Sequence, residues 1–387
     1  MIIITYIFYI IYEHGSSYHL AKVTQTPIIL VVDAKGMGKS VLALIAGFLQ
    51  YDTQHLIKGV LLNRMSKGYY DIIKPLIEKE LSVKVVGYFP EQKDIRLESR
   101  HLGLVMPDEL ADIKEQLDEL AGRLKKTIDL DMLLDIAVEA EEISDSGNAD
   151  IYNEKNIGNC DQNKFSQNKE INTVNIAVAM DEAFCFYYED NLRLLEKCGA
   201  KLQYFSPLHD TKLPDNCDAL LLGGGYPELY AKELSENLSM RNSIKTAFKT
   251  GLPTVAECGG FMYLHTYIHN ICEEDADAQN YVFGMTGALD SECHCKGKLV
   301  RFGYIELAEK HNNFLPPNEK IKAHEFHYYD STDNGADCIA TKPATGRSYD
   351  CKYSESELKE KLSEHMNASE DTRYYLVITI DRDFGEE

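Results

Sequence analysis

Ten cysteines are spread through the chain, and one stands apart by its neighbours. The run Ala256-Glu257-Cys258-Gly259-Gly260-Phe261-Met262-Tyr263-Leu264 follows a strand-like segment, Leu252 to Ala256, and its apolar second half opens like a helix. A side chain at so sharp a strand-to-helix turn projects into a cleft, and the glycines allow a tight backbone and close approach of a substrate. The N-terminus of the following helix favours an anion, and so a thiolate. Those are the requirements of a thiolate nucleophile. A buried structural cysteine is the competing reading; the flanking residues favour the nucleophile.

A second run, Leu222-Gly223-Gly224-Gly225-Tyr226-Pro227-Glu228, also leaves a buried strand, Asp218 to Leu222. Consecutive glycines expose backbone N–H groups. Those of Gly224 and Gly225 can stabilise the oxyanion formed when a thiolate attacks a carboxamide. Alone the run reads equally well as a plain turn; beside Cys258 it makes a constellation. Two other segments invite chemistry and lack part of it. Asp33-Ala34-Lys35-Gly36-Met37-Gly38-Lys39-Ser40 ends like a phosphate-binding loop but carries Asp33 where the pattern needs glycine, and a carboxylate there repels phosphate. Glu292-Cys293-His294-Cys295 holds metal-ligating residue types. A Cys-x-Cys with one His lacks a second ligand pair at usable spacing, so no metal site is expected.

The elements that must position these residues alternate between strand and helix. Pro27 to Val32, Lys58 to Leu62 and Val83 to Tyr88 are short apolar runs of the kind buried on both faces of a sheet. Val41 to Leu49 and Tyr69 to Glu80 are helix-compatible, and Leu110 to Val138 carries apolar residues at helical spacing. A polar stretch, Glu139 to Thr173, reads as a linker. The alternation then resumes: strand Val174 to Met180, helix Tyr188 to Cys198 closed by Gly199, strand Lys201 to Phe205, then the strands that lead into Gly223 and Cys258. Strands alternating with helices imply parallel sheets, two of them in 387 residues. Towards the end, Glu355 to His365 is helix-like, and Tyr374 to Ile380 is a lone strand-like run.

The formal net charge of −22 argues against nucleic acid as a main partner. It leaves room for ATP, which needs only a local pocket of donors. Irregularly spaced cysteines without a secretory leader suggest reduced thiols and a cytoplasmic location. The apolar start, Met1 to Tyr12, falls short of the roughly 20 residues of a membrane span. It also lacks a basic flank and a cleavage site, so it reads as a buried strand, with no membrane partner expected.

Taken together, the motifs resemble the class I glutamine amidotransferases, and in particular the cobyrinic acid a,c-diamide synthase family, which includes the nickel-sirohydrochlorin a,c-diamide synthases. The shared runs are GSSYHLAK from Gly15, LVVDAKGM from Leu30, GVLLNR from Gly59, ESRHLGLV from Glu98, GGGYPE from Gly223, AECGGFMYL from Ala256, GMTGAL from Gly284 and HEFHY from His324. The resemblance implies two doubly wound α/β domains. An incomplete dethiobiotin-synthetase-like P-loop NTPase (amidoligase) domain spans 1–138. The linker spans 139–173, a flavodoxin-like class I glutaminase domain 174–350, and a divergent tail 351–387. It further implies glutamine, ATP with Mg²⁺, and a tetrapyrrole as partners, with a homodimer as the assembly. The activity implied is ATP-dependent amidation of the a and c acetate groups of cobyrinate or Ni-sirohydrochlorin, in cobalamin or coenzyme F430 biosynthesis; the sequence does not choose between cobalt and nickel.

Carried over residue by residue, Cys258 is the nucleophile, Gly224 and Gly225 the oxyanion region, and Asn63 a contact to the nucleotide. His324 and His327 face the substrate or support the site. The chain departs from the family in two places. The family's phosphate loop belongs before Gly15, and its late histidine motif, source of the base that partners the cysteine, has no counterpart after Asp350. Two other readings therefore stand beside the ligase: an impaired homologue that only binds, and an NTPase using Gly36 to Ser40.

Overall fold

The computed structural model describes residues 3–5, 16–92, 99–100, 103–104, 113–140, 173–270, 281–311, 320–343, 345–351 and 375–378. Most of the polar linker, His101 and the helix-like run Glu355 to His365 lie outside them. The chain divides into two compact units, Met1–Arg100 with Leu104–Asn156, and His101–Gly103 with Ile157–Glu387. No described helix is long and apolar enough to cross a membrane.

In the first unit, β1 (Ile3–Thr5), β2 (Ile28–Asp33), β3 (Ile57–Asn63) and β4 (Lys84–Phe89) form a parallel sheet in chain order. Helices α1 (Ser17–Thr24), α2 (Ser40–Tyr51) and α3 (Lys67–Leu81) connect them. Ile28, Ile29, Leu30 and Val32 of β2 are all buried, as a continuous apolar strand requires when both faces are covered. Between β4 and the next helix lie two short strands that pair, β5 (Ser99–Arg100) and β6 (Gly103–Leu104). The helical spacing between Leu110 and Val138 resolves into two helices, α4 (Ile113–Thr127) and α5 (Leu130–Val138). The break falls at Asp129, whose carboxylate accepts the Met132 N–H at 2.9 Å and caps α5. Ile136 of α5 packs on Ile29 and Val86.

The second unit opens with β7 (Val174–Ala179), α6 (Glu189–Lys197), β8 (Ala200–Phe205), β9 (Ala219–Leu222), α7 (Ala231–Glu236), α8 (Leu238–Lys249), β10 (Thr254–Glu257) and α9 (Gly259–Leu264). Eight strands follow in two further sheets. β11 (Tyr267–His269), β12 (Val282–Gly284), β13 (Glu292–Cys295) and β16 (Tyr329–Ser331) are ordered β12-β11-β13-β16. β14 (Arg301–Glu309), β15 (Lys320–His327), β17 (Cys338–Thr341) and β18 (Ser348–Cys351) are ordered β15-β14-β17-β18, antiparallel throughout.

The last described strand, β19 (Tyr375–Ile378), returns to the main sheet and lies parallel to β10, Ile378 opposite Glu257. The run that reads as a lone strand is thus a sheet neighbour of the cysteine-bearing strand. The main sheet is ordered β19-β10-β9-β7-β8. Counted in chain order this is 2-1-3-4-5, the flavodoxin arrangement, with its switch point between β7 and β9. Ligands bind at the carboxyl ends of strands beside such a point. The carboxyl end of β9 leads into Gly223, and that of β10 into Cys258.

Candidate active site

Cys258 occupies the single residue between β10 and α9, with φ 46° and ψ −109°. A positive φ is uncommon outside glycine and costs of order 1–3 kcal/mol, a strain typical of functional turns. The turn is held from both sides. The Cys258 carbonyl accepts from Met262 N at 3.0 Å, and Gly260 N donates to the Gly223 carbonyl at 2.9 Å. A Cβ on Gly260 would lie 2.3 Å from the Leu222 carbonyl oxygen, so only glycine lets α9 start this close to β9.

The glycine run lies against the cysteine. A Cβ built on Gly224 would sit 3.5 Å from Cys258 Cβ, and one on Gly259 would sit 3.1 Å from Gly225 N. Tyr187 sets the height of this loop. Its hydroxyl donates to the Ala179 carbonyl at 2.6 Å and accepts from Gly223 N at 2.7 Å. Burial raises the Tyr187 pKa, so the phenol stays protonated and keeps both bonds. Asp181, at the same edge of the sheet, accepts from Ala183 N, Leu208 N and the Ser206 hydroxyl at 2.8 to 2.9 Å. These bonds fix the segment that carries Tyr187. The expected nucleophile and the expected oxyanion donors are therefore neighbours, although they lie more than thirty residues apart in the chain.

A cleft opens over the cysteine. Cys258, Phe261, Met262 and Cys293 line one part; His327, Tyr329, Asp330, Ser331 and Asn334 line the rest. The structure separates the two histidines that the sequence left equivalent. His327, the last residue of β15, faces the cleft. His324 lies three residues earlier, hence on the other face of the strand, and its ring stands 5.6 Å from Tyr304 and 6.4 Å from Phe302. His327 Nδ1 lies 2.6 Å from the Tyr329 carbonyl. A carbonyl can only accept, so Nδ1 carries the proton and Nε2 the lone pair.

Sequence reasoning passed over His265, which caps the end of α9 and is fully buried. Its Nδ1 donates to the Phe261 carbonyl at 2.7 Å, and its Nε2 lies 2.7 Å from the hydroxyl of Ser331 in the cleft wall. Burial pushes its pKa down to about 4. The single Ser331 hydroxyl hydrogen is shared between the His265 ring and the Asp333 carbonyl, 2.6 Å away, and its oxygen accepts from Asp333 N at 3.1 Å. No spacing signal marks this pair, because 66 residues separate its members.

In the first unit Asn63 ends β3, level with Asp33 and Phe89 at the carboxyl edge of the sheet. Its side-chain oxygen accepts from Arg64 N at 3.0 Å. The Asp33 carboxylate pairs with the Arg64 guanidinium, which holds its pKa below the usual range. The Lys39 ammonium reaches Glu80 at 2.9 Å. The segment Asp33 to Ser40 thus offers a carboxylate and a committed lysine, a poor cradle for a triphosphate. In the second unit, Cys293 and Cys295 are buried while Glu292 and His294 turn to the opposite face of β13. The four residues of that motif therefore cannot act on one ligand. His269, which the sequence reading omitted, lies beside His294 on β11.

Residues 175–358 match the family model of the CobB/CobQ-like glutamine amidotransferase domain. The chain is 38% identical over 345 residues to a cobyrinate a,c-diamide synthase of Caldanaerobacter subterraneus subsp. tengcongensis, covering 88% of this chain and 71% of that protein. It is 35% identical over 351 residues to one from Fusobacterium nucleatum subsp. nucleatum, covering 89% and 74%. A third, from Clostridium tetani, is 38% identical over 313 residues, covering 81% and 64%. The chain thus spans between 64% and 74% of these relatives' lengths.

Proposed function

The chain belongs to the cobyrinate a,c-diamide synthase family, and from that premise we propose that it hydrolyses glutamine at Cys258 to supply ammonia for amidation of a tetrapyrrole dicarboxylate. The observation that carries the reading is the strained turn of Cys258 beside the glycine run, in a cleft shared with His327. The Cys258 sulfur attacks the carboxamide carbon of glutamine. The oxygen that gains charge meets the N–H groups of Gly224 and Gly225. His327, with its lone pair on Nε2, takes the thiol proton and returns it to the departing ammonia. Water then opens the glutamyl thioester, with the same imidazole as base. Tyr187 is a positioning residue for the glycine run.

Joining ammonia to a carboxylate requires activation, which the reading assigns to ATP with Mg²⁺. Asp33 to Ser40 do not fit that role. A phosphate loop needs glycine where Asp33 stands paired to Arg64, and Lys39 is drawn to Glu80. Asn63, at the carboxyl edge of the first sheet, is the nucleotide contact we favour. The substrate is cobyrinate or, in a nickel pathway, Ni-sirohydrochlorin. A cytoplasmic setting accords with the eight described cysteines, none of which is in a disulfide bond.

The test is labelling with a glutamine-analogue diazo-ketone, with glutamate release measured in parallel. The wild type should be modified at Cys258 and release glutamate, whereas Cys258→Ser should do neither. His327→Ala should slow hydrolysis by about 10²- to 10⁴-fold. A wild type that neither labels nor releases glutamate would leave a binding protein and sink the glutaminase reading. Full activity in His327→Ala would move the base elsewhere.

A further inference from the structure

We propose that His269, Glu292 and His294 form a binding site for a divalent first-row transition metal, with zinc the best match to the donor set. Parallel pairing places His269 directly opposite His294 across β11 and β13, and Glu292 precedes His294 by two residues on the same face. All three side chains are half-buried. Their donor atoms lie within 4.8 Å of one another. One carboxylate oxygen, Glu292 Oε2, stands 2.7 Å from His269 Nε2 and 3.7 Å from His294 Nε2.

An ordinary histidine–glutamate pair would account for one imidazole. It would not account for two imidazoles gathered at the same oxygen. Two imidazoles and a carboxylate make a three-ligand set that zinc accepts with a fourth position open, and that calcium and magnesium, which prefer all-oxygen shells, do not favour. The rings stack 4.1 Å apart at 16°. To bind, they must tilt toward Glu292, a rotation about terminal torsions that are soft.

The site lies on the face of β13 opposite Cys293, and Cys293 lines the cleft that holds Cys258. The proposal does not depend on the glutaminase reading. Metal at this place would brace the strand that walls the cleft.

The experiment is titration of the full chain, stripped with a chelator, with Co²⁺ as the spectroscopic probe and Zn²⁺ in competition. Expected is one Co²⁺ per chain with visible ligand-field bands, displaced by Zn²⁺ and free of a thiolate charge-transfer band. His269→Ala, His294→Ala and Glu292→Gln should each weaken binding by roughly 10- to 100-fold or more. Cys293→Ser should leave it unchanged. Circular dichroism confirms that each variant is folded, and labelling of Cys258 is followed alongside as a separate readout. Absence of binding, a thiolate band, or Co²⁺ affinity that survives the His269→Ala/His294→Ala double substitution would each overturn the proposal.

Discussion

His265 offers a pH dependence whose size follows from its surroundings. The ring is fully enclosed, between the Phe261 carbonyl on Nδ1 and the Ser331 hydroxyl on Nε2. Its pKa falls from an ordinary 6.5 to about 4 on folding, chiefly because burial strips water from the charged form. Above about pH 6.5 the ring is neutral in both states and costs nothing. Between about 6.5 and 4 only the unfolded chain binds the proton, so stability falls as pH falls. Below about 4 both states bind it and the loss is complete. The gap amounts to about 3 kcal/mol in all, of which about 2 kcal/mol is lost by about pH 5. The chain has no tryptophan, so urea unfolding is best followed by far-UV circular dichroism, at about pH 7.5 and about pH 5. His265→Asn can still donate to Phe261 but does not titrate. The wild type should lose about 2 kcal/mol more than this variant between the two pH values. Equal losses would refute the argument. So would an imidazole resonance of His265 that titrates near 6.5 in the folded protein, since a buried neutral ring cannot do that.

Other perturbations test the frame around the site. Gly260→Ala puts a Cβ 2.3 Å from the Leu222 carbonyl. It should cost about 1–3 kcal/mol in melts and, by shifting Cys258, lower glutamine hydrolysis about 10²-fold. Tyr187→Phe leaves the Ala179 carbonyl and Gly223 N–H without their shared partner. A loss of about 1–3 kcal/mol is expected, with kcat falling more than KM rises. Glu325, fully buried, bonds the Tyr349 hydroxyl and lies 3.8 Å from both Arg301 and Lys342. Glu325→Ala takes the carboxylate from both cations, although Lys342 keeps the Phe302 carbonyl, and should destabilise by about 1–3 kcal/mol in urea titrations; an unchanged midpoint would refute this. Lys39→Ala should leave ATP binding unchanged, because its ammonium is engaged with Glu80; loss of ATP binding in this variant would return the phosphate site to that loop.

Local features carried the sequence reading a long way. Glycines that tolerate close backbone contact, a cysteine at a strand-to-helix turn and short apolar strands are written within a dozen residues of one another. They anticipated β2, β3, β4, β7, β8, β9 and β10 to within a few residues and set Gly224, Gly225 and Cys258 at the ends of two buried strands. The small sheets from β11 to β18 were not legible. Their strands are short and mix polar with apolar residues, as in Glu292 to Cys295, where half-burial blurs the alternation. What the sequence by itself determined is the seat of Cys258: a backbone that only glycine-flanked residues can follow, at the carboxyl end of a buried strand. Tertiary pairing alone decided that β19 lies beside that strand, that His327 rather than His324 shares its cleft, and that His269 meets His294. Those outcomes rest on which distant strands form a ladder and which face each turns inward. Hydrogen bonds between segments far apart in the chain set both, and no local spacing records them.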